Sequence, residues 1–584
     1  MKVAGIDPGQ RALNGIQTTG RSYRNLSQPA HAIREEHDLE IPVRDGITLV
    51  ADVLRPDAEG RFPALVAFSP YPRQLQNSGA PLGFIEAGAS DYFVPRGYAH
   101  VLVNARGTCG SGGTYTMLDA TERGDLYDAV EWAAAQPWCN GKVALIGVSY
   151  FAMAALAGAV ETPPHLAAVF PLGSTIDFYR SAWHGGMLSA RFIGAWMAGL
   201  GVMSGGERGA FRGVLTKLAS SVLRTPAVHH RFESFQGEAA LAVLGKYMRI
   251  SYERHPWEDL YAAAAIEHPL YDAFWQDRDL TPKLASVRIP AYLGCDWDNV
   301  PLHLPGTIKA FQTMPRDAGH RLMLLPRGGM VWPWESMHVE ALAWFDARLK
   351  GVDTGVDEGA PVRYWLAGED AWREAPSWPP PGVHWEALHL RADGVLARDA
   401  GTDGERAYLV QPPSMLRPAN APPPALPDRL TWETPALREP LDVVGPLVLE
   451  LDATTTAPDV DWIVKLELIT ADGTAHDLTQ GWLRGSHRAV DPDRSAPGEP
   501  FHAHDRVEAV TPHAPTRYAI GLVSTAQRVL PGQRLRVTLM SNDAGAAMLG
   551  FEHLPLGLAS IQRVRESSVL QVPVLGGALP RAAG

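Results

Sequence analysis

From about Glu40 to Gly351, short apolar runs alternate with amphipathic segments. Runs such as 62–73 are typical of strands buried on both faces, and the Asp-Gly pair at Asp45 predicts a hairpin turn between two strands. Residues 123–141 predict a helix because their apolar positions share one face. That face comprises Leu126, Ala129, Val130 and Ala133. Further segments with the pattern of a strand or a helix follow at 143–160, 167–174, 287–298, 320–328 and 339–351.

This alternation predicts an α/β fold, a doubly wound sheet with helices on both faces. Residues 177–285 interrupt the rhythm with helical and aromatic-rich segments, such as 187–204 and 238–250, and so predict an inserted helical cap. The helix predicted over 339–351 ends at Gly351 and closes this part of the chain.

The pattern changes after about residue 353, where alternating strands are separated by Pro, Gly and Asp turns. Such spacing is typical of an antiparallel sandwich or jelly roll. The predicted divisions are an N-terminal arm (1–36), a first part of the α/β domain (37–176), a helical cap (177–285), a second part of the α/β domain (286–352), a jelly-roll domain (353–575) and a C-terminal tail (576–584).

Composition narrows the class of protein. Across 584 residues, 52 Lys and Arg against 64 Asp and Glu give a net charge of −12, which argues against a nucleic-acid binder. Three cysteines without metal-like spacing predict reduced thiols, and neither a membrane span nor a secretion signal is recognisable. We therefore expect a cytoplasmic protein.

The strongest chemical motif is Gly147-Val148-Ser149-Tyr150, between a predicted buried strand and a predicted helix. A serine on such an elbow projects its hydroxyl above the sheet, and the next backbone N–H can stabilise an oxyanion. The fifth position, usually glycine, is Phe151 here. The sequence predicts a nucleophile at Ser149, with a buried core serine as the alternative.

Several motifs resemble the family of cocaine-esterase-like, X-Pro dipeptidyl-peptidase-like and α-amino-acid ester hydrolases (the CocE/NonD group). The resemblance extends from about Glu40 to Leu556 and implies an α/β-hydrolase domain, a helical cap and a jelly-roll domain. The motifs that carry it are IPVRDGITLVADVLRP, SPYPR, NARGTCGSGG, QPWCNGKVALIGVSY, GCDWD, WFDARLKG and HDLTQGWLRGSHR.

The resemblance also implies roles for individual residues. Ser149 matches the nucleophile, and the Tyr71 hydroxyl matches an oxyanion donor that acts beside the Tyr150 N–H. Asp298 matches the acid that orients a histidine, with Asp296 as its rival two residues away. A purely structural tyrosine is the alternative at Tyr71.

The family's histidine is missing from the position where the resemblance puts it. That position falls on Gly329, and no histidine occurs from Arg321 through Met337. His338 is the nearest candidate for the base, although a histidine at the start of a helix more often has a packing role. His303 and His320 are weaker candidates, and Trp297, Trp332 and Trp334 are candidates to line a pocket for an aromatic or hydrophobic substrate.

The leading hypothesis is a serine esterase, amidase or aminopeptidase-like hydrolase, or an acyltransferase, that forms an acyl-enzyme on Ser149. Its expected substrate is a small-molecule ester or amide, no metal or cofactor is implied, and a homodimer is left open. A second hypothesis is a pseudo-enzyme or repurposed member of the fold, which binds a small acyl compound but lacks triad hydrolysis because of Gly329. A third, a carbohydrate-binding module over residues 353–575, rests on the predicted fold alone.

Overall fold

The structure is a computed structural model. It describes residues 20–76, 85–204, 218, 255–330, 337–401, 403–410, 425–543, 551–553, 556–557, 559–577 and 579. The helix predicted within 238–250, together with Trp332 and Trp334, lies outside these residues. Contacts divide the chain into a first unit (Met1–Phe178, Ile193–Glu267 and Trp275–Arg363) and a second unit (Tyr179–Phe192, His268–Phe274 and Tyr364–Gly584).

The first unit contains a mixed sheet in the order β1-β2-β4-β3-β5-β6-β9-β10. The pairs from β4 through β10 are parallel, whereas β1 pairs β2 and β2 pairs β4 antiparallel. Its strands are β1 (Ile33–Pro42), β2 (Thr48–Pro56), β3 (Phe62–Ser69), β4 (Ala99–Asn104), β5 (Cys139–Val148), β6 (Leu166–Leu172), β9 (Tyr292–Asp296) and β10 (Arg321–Leu325).

Helices in this part of the chain follow the apolar periodicity of the sequence. The predicted face of the helix after Asp119 is fully buried, and the last helix ends at Gly351 in a left-handed conformation, φ 69°, as predicted. The helices are α1 (Arg73–Gln76), α2 (Ser90–Phe93), α3 (Ala120–Ala135), α4 (Tyr150–Glu161), α5 (Phe178–Ala182), α6 (Ala190–Ser204), α7 (Trp257–Ala262), α8 (Ala273–Gln276), α9 (Thr281–Leu284), α10 (Leu304–Thr313) and α11 (His338–Lys350).

The second unit is an antiparallel β-rich domain around a large aliphatic and aromatic core. Its main sheet has the order β14-β13-β23-β17-β20-β19-β18-β21-β16, and β22 joins β15 to β17. The strands are β13 (His384–Leu390), β14 (Leu396–Ala397), β15 (Glu405–Leu409), β16 (Arg429–Glu433), β17 (Leu441–Thr455), β18 (Asp461–Ile469), β19 (Ala475–Arg484), β20 (Thr516–Val529), β21 (Arg534–Met540), β22 (Ile561–Arg565) and β23 (Val569–Gly576), preceded in the chain by β11 (Val362–Leu366) and β12 (Ala371–Ala375).

A short hairpin from the predicted cap also belongs to the second unit. It pairs β7 (Trp183–His184) with β8 (Met187–Leu188), and its Gly185 carbonyl accepts a hydrogen bond from the Arg484 N–H at 2.8 Å. A Cβ on Gly186 would lie 2.5 Å from the ring of His487. The turn of the hairpin therefore fits closely against the unit's own sheet. Among the helices that the structure describes, none is long and apolar enough to cross a membrane.

Candidate active site

The predicted nucleophile lies on a sharp turn between β5 and α4. Ser149 has φ 57° and ψ −117°, a conformation that non-glycine residues rarely adopt. Its N–H donates to the Leu172 carbonyl at the end of β6 (3.0 Å), and its carbonyl accepts from the Met153 N–H (2.9 Å). Backbone strain of this kind persists where the surrounding structure enforces it, often at functional sites. The residue is half-buried.

Gly147 makes this elbow sterically feasible. It has φ 142°, and a Cβ there would lie 2.2 Å from Phe151 Cβ and 3.0 Å from the Glu86 carbonyl oxygen. The Val148 N–H donates to that same Glu86 carbonyl at 3.0 Å. The absence of a side chain at Gly147 leaves the space that Phe151, at the motif's fifth position, occupies.

The Tyr150 side chain points into a buried hydrogen-bond network. Its hydroxyl donates to Glu122 Oε1 at 2.6 Å and accepts from the Tyr115 hydroxyl at 3.0 Å. Glu122 Oε2 accepts from the Leu118 N–H at 2.8 Å. This network holds the first residue of α4, whose backbone N–H is the predicted oxyanion donor. The sequence did not reveal it, because Tyr115 and Glu122 lie far from Ser149 along the chain.

Glu122 should make the stability of the fold depend on pH. Burial raises the pKa of this carboxyl from 4.5 to about 7. The folded protein thus holds the proton more tightly than the unfolded chain does. The stabilisation that results is complete below the pKa of the unfolded chain, 4.5, and is lost as the pH rises to about 7. The loss amounts to at most about 3 kcal/mol in the free energy of unfolding.

The variant Glu122→Gln cannot ionise, so we expect its free energy of unfolding to fall less than that of the wild type between about pH 5 and about pH 8. Urea unfolding at both pH values measures the difference. Glu59→Gln, which changes an exposed carboxylate, is the control, and its free energy of unfolding should fall between the two pH values as much as that of the wild type. An equally large fall in Glu122→Gln would contradict the prediction.

Tyr71 follows β3 and packs beside the elbow. Its ring centroid lies 6.1 Å from those of Tyr150 and Phe151, the two residues after Ser149. Its hydroxyl accepts a hydrogen bond from Trp196 Nε1 at 3.0 Å. Burial raises the pKa of the phenol, so the hydroxyl keeps its proton near neutral pH. Trp196, from α6, is a neighbour that the sequence did not suggest.

The two candidate acids at the end of β9 have different surroundings. The Asp298 carboxylate, 37% exposed, accepts from Arg327 Nη1 at 3.0 Å and from the Gly328 N–H at 2.7 Å. Asp296 is buried and accepts from Asn299 Nδ2 at 2.6 Å, and burial raises its pKa to about 6. An arginine therefore contacts the acid that the resemblance pairs with a histidine.

The loop that carries Gly329 is closed to a side chain at that position. A Cβ on Gly329 would lie 2.7 Å from the Pro326 carbonyl oxygen and 2.8 Å from Leu325 Cβ. The Gly329 N–H donates to the same Pro326 carbonyl at 2.9 Å, which fixes this tight turn. In this conformation a histidine at position 329 would clash with the backbone.

The tentative base, His338, is fully buried at the start of α11. Its ring stacks on Tyr92 at 5.1 Å, with 18° between the planes, and meets Phe93 edge-on at 5.5 Å. These contacts are those of a packing residue, and its role as base stays a prediction. Trp297 is also buried, at 3% exposure, and its role in a substrate pocket is likewise a prediction.

The mixed sheet and the strained serine between a buried strand and helix together define a class, the α/β-hydrolase fold with a candidate serine nucleophile. A model of the X-Pro dipeptidyl-peptidase (S15) family matches residues 45–332, and a model of the X-Pro dipeptidyl-peptidase C-terminal non-catalytic domain matches residues 354–555. The chain belongs to this serine-hydrolase family.

Individual relatives agree with that membership. The chain is 26% identical over 550 residues to cocaine esterase from Rhodococcus sp., covering 86% of this chain and 90% of the relative. It superposes on a CocE/NonD family hydrolase from Staphylococcus aureus with a TM-score of 0.72, at 20% identity and covering 93% and 94% of the two chains. An α-amino acid ester hydrolase gives 0.67, at 19% identity and 95% and 98% coverage. These two structures confirm the fold.

Proposed function

We propose that this chain hydrolyses an ester or amide of a small molecule through an acyl-enzyme on Ser149. The observation that carries the proposal is the strained elbow, with φ 57° at Ser149 and a Gly147 that tolerates no Cβ. A core serine at an ordinary turn needs neither feature. The names of the matched family and of cocaine esterase support a carbonyl substrate of this kind.

The reaction begins when Ser149 Oγ attacks the substrate carbonyl carbon while a base removes the hydroxyl proton. The bond from carbon to the leaving group then breaks, and the proton passes to the departing alcohol or amine. Water attacks the acyl-enzyme in the second half and regenerates the serine. If another alcohol or amine replaced water, the same intermediate would transfer the acyl group.

The negative charge that develops on the carbonyl oxygen requires hydrogen-bond donors fixed in advance. The Tyr150 N–H is one, held by the buried network around Glu122. The Tyr71 hydroxyl is the other; it accepts from Trp196 and, in this proposal, donates to the oxyanion. Each such donor contributes about 10²–10³ in turnover.

Asp298 has a different partner here from the one that the family pattern implies. Its carboxylate is held by Arg327 and the Gly328 N–H, so its negative charge is already balanced. We assign it a structural role in ordering the loop after β10. This arrangement, together with Gly329, favours the second candidate function: binding of a small acyl compound without turnover.

Covalent labelling distinguishes the two functions. A fluorophosphonate probe reacts with an activated serine, and mass spectrometry of the digested protein locates the adduct. We expect one adduct, on Ser149, which is absent from Ser149→Ala and from heat-denatured protein. Ser286→Ala, which removes an exposed hydroxyl away from the elbow, should label like the wild type. Without an adduct on Ser149, the binding function would take the place of the hydrolase.

A further inference from the structure

A serine hydrolase needs a proton acceptor, and position 329 cannot supply one. A Cβ at this position would clash with Pro326, so the conformation of the loop excludes any side chain there. If Ser149 is a nucleophile, an imidazole from another element must therefore accept its proton. The inference that follows thus rests on the proposed function.

His303 lies at the same edge of the sheet as Ser149. It directly precedes α10, and its backbone N–H donates to the Asn299 carbonyl at 3.2 Å. The position that a Cβ of Gly173 would occupy is 3.4 Å from His303 Cδ2. Gly173 follows Leu172, whose carbonyl accepts the Ser149 N–H. The imidazole thus lies beside Gly173, the residue that follows the one anchoring the elbow.

Within the described part of the chain, one ring nitrogen of His303 is buried without a hydrogen-bond partner, whereas both ring nitrogens of His320 have one. The residue is 6% exposed, and its Nδ1 has no hydrogen-bond partner among the residues that the structure describes. His320, by contrast, accepts from the Ala291 N–H and contacts the Val287 carbonyl through its other nitrogen. A buried polar atom without a partner costs about 1–3 kcal/mol, which calls for a functional explanation.

We propose that His303 is the base that serves Ser149, in place of the histidine missing at position 329. The neutral imidazole accepts the Oγ proton as the bond from Oγ to the carbonyl carbon forms. The imidazolium then returns that proton to the leaving group as its bond to carbon breaks. In the second half-reaction, the ring takes a proton from water and restores it to Ser149.

The surroundings of His303 fit this role and set its strength. Burial lowers the pKa of the ring to about 3, so the ring is neutral at physiological pH, as a base must be at the start of the reaction. The same burial makes the ring a weaker proton acceptor than an ordinary histidine. Turnover should therefore be slower than in an enzyme whose base has a pKa near neutrality.

The test measures turnover of an activated aryl ester and the rate of fluorophosphonate labelling in wild type, His303→Ala and His303→Gln. We expect both rates to fall by about 10²–10⁴ in each variant. Added imidazole should restore at least about a tenth of the lost turnover in His303→Ala, because the small base can occupy the space left by the ring. His320→Ala, which removes a buried histidine with structural hydrogen bonds, should show no such rescue.

Each other outcome is decisive. If turnover depends on Ser149 but stays within about threefold of wild type in both His303 variants, the assignment of His303 falls and the proposed function stands. If His303→Gln is folded and inactive but imidazole restores nothing to His303→Ala, the role of His303 is structural and the assignment also falls. If the wild type itself shows no turnover or labelling that depends on Ser149, both proposals fail together.

Discussion

Ser149→Ala is expected to reduce hydrolysis of an activated aryl ester to the level that a binding pocket and oxyanion donors give without a nucleophile. In a serine protease of known kinetics the same change costs about 10⁶ in turnover. A loss of at least about 10³ is expected here, because a weak base limits the wild-type rate. Steady-state kinetics of the two proteins, with release of the phenol followed by absorbance, measure it.

The removal of one half-buried oxygen should leave the fold intact, since the elbow is fixed by backbone contacts to Leu172 and Met153. Thermal unfolding of Ser149→Ala is therefore expected to match the wild type within a degree or two. Ser286→Ala serves as the kinetic control. Equal rates in wild type and Ser149→Ala would assign any observed hydrolysis to another group and leave the chain as a binding protein.

The second large effect is expected for Gly147→Ala. The new Cβ would meet Phe151 Cβ at 2.2 Å, and the backbone would keep a φ of 142° that alanine disfavours. Strain and overpacking together should lower the free energy of unfolding by roughly 3–4 kcal/mol. The start of α4 must also shift, which would displace both Ser149 and the Tyr150 N–H.

A matched control separates the two causes. Gly60 has a similar φ of 122°, but a Cβ there would meet nothing nearer than Phe62 Cζ at 3.9 Å. Gly60→Ala should thus lose only about 1–2 kcal/mol, from backbone strain alone. Urea unfolding and fluorophosphonate labelling of both variants provide the comparison. If the two variants unfold alike, steric crowding at the elbow is weaker than the distances indicate.

Much of the architecture could be predicted from local pattern. The apolar face of α3, the end of α11 at Gly351 and the elbow at Ser149 all depend on residues close together in the chain. The antiparallel second unit was signalled by alternating strands and frequent turn residues. Such features follow from periodicity and steric requirements, which the sequence states directly.

The polar partners of the site could not be predicted in the same way. Tyr115 and Glu122 reach Tyr150, and Trp196 reaches Tyr71, only through the folding of distant segments. The pairing of Arg327 with Asp298 across two strands depends on how the loop after β10 turns. His303 was a weaker candidate in the sequence. Its position beside Gly173 now supports it as a candidate base, and the spacing of residues along the chain does not predict that position.

The Trp183–Leu188 hairpin has a consequence for dividing this protein into fragments. The boundary between the two matched family models falls near residue 354, yet the second unit also takes Tyr179–Phe192 and His268–Phe274 from the middle of the chain. A polypeptide that starts at the model boundary would lack the hairpin against which Arg484 and His487 pack. We therefore expect the C-terminal part to fold on its own only if the hairpin is added as a separate peptide or is joined to it by circular permutation.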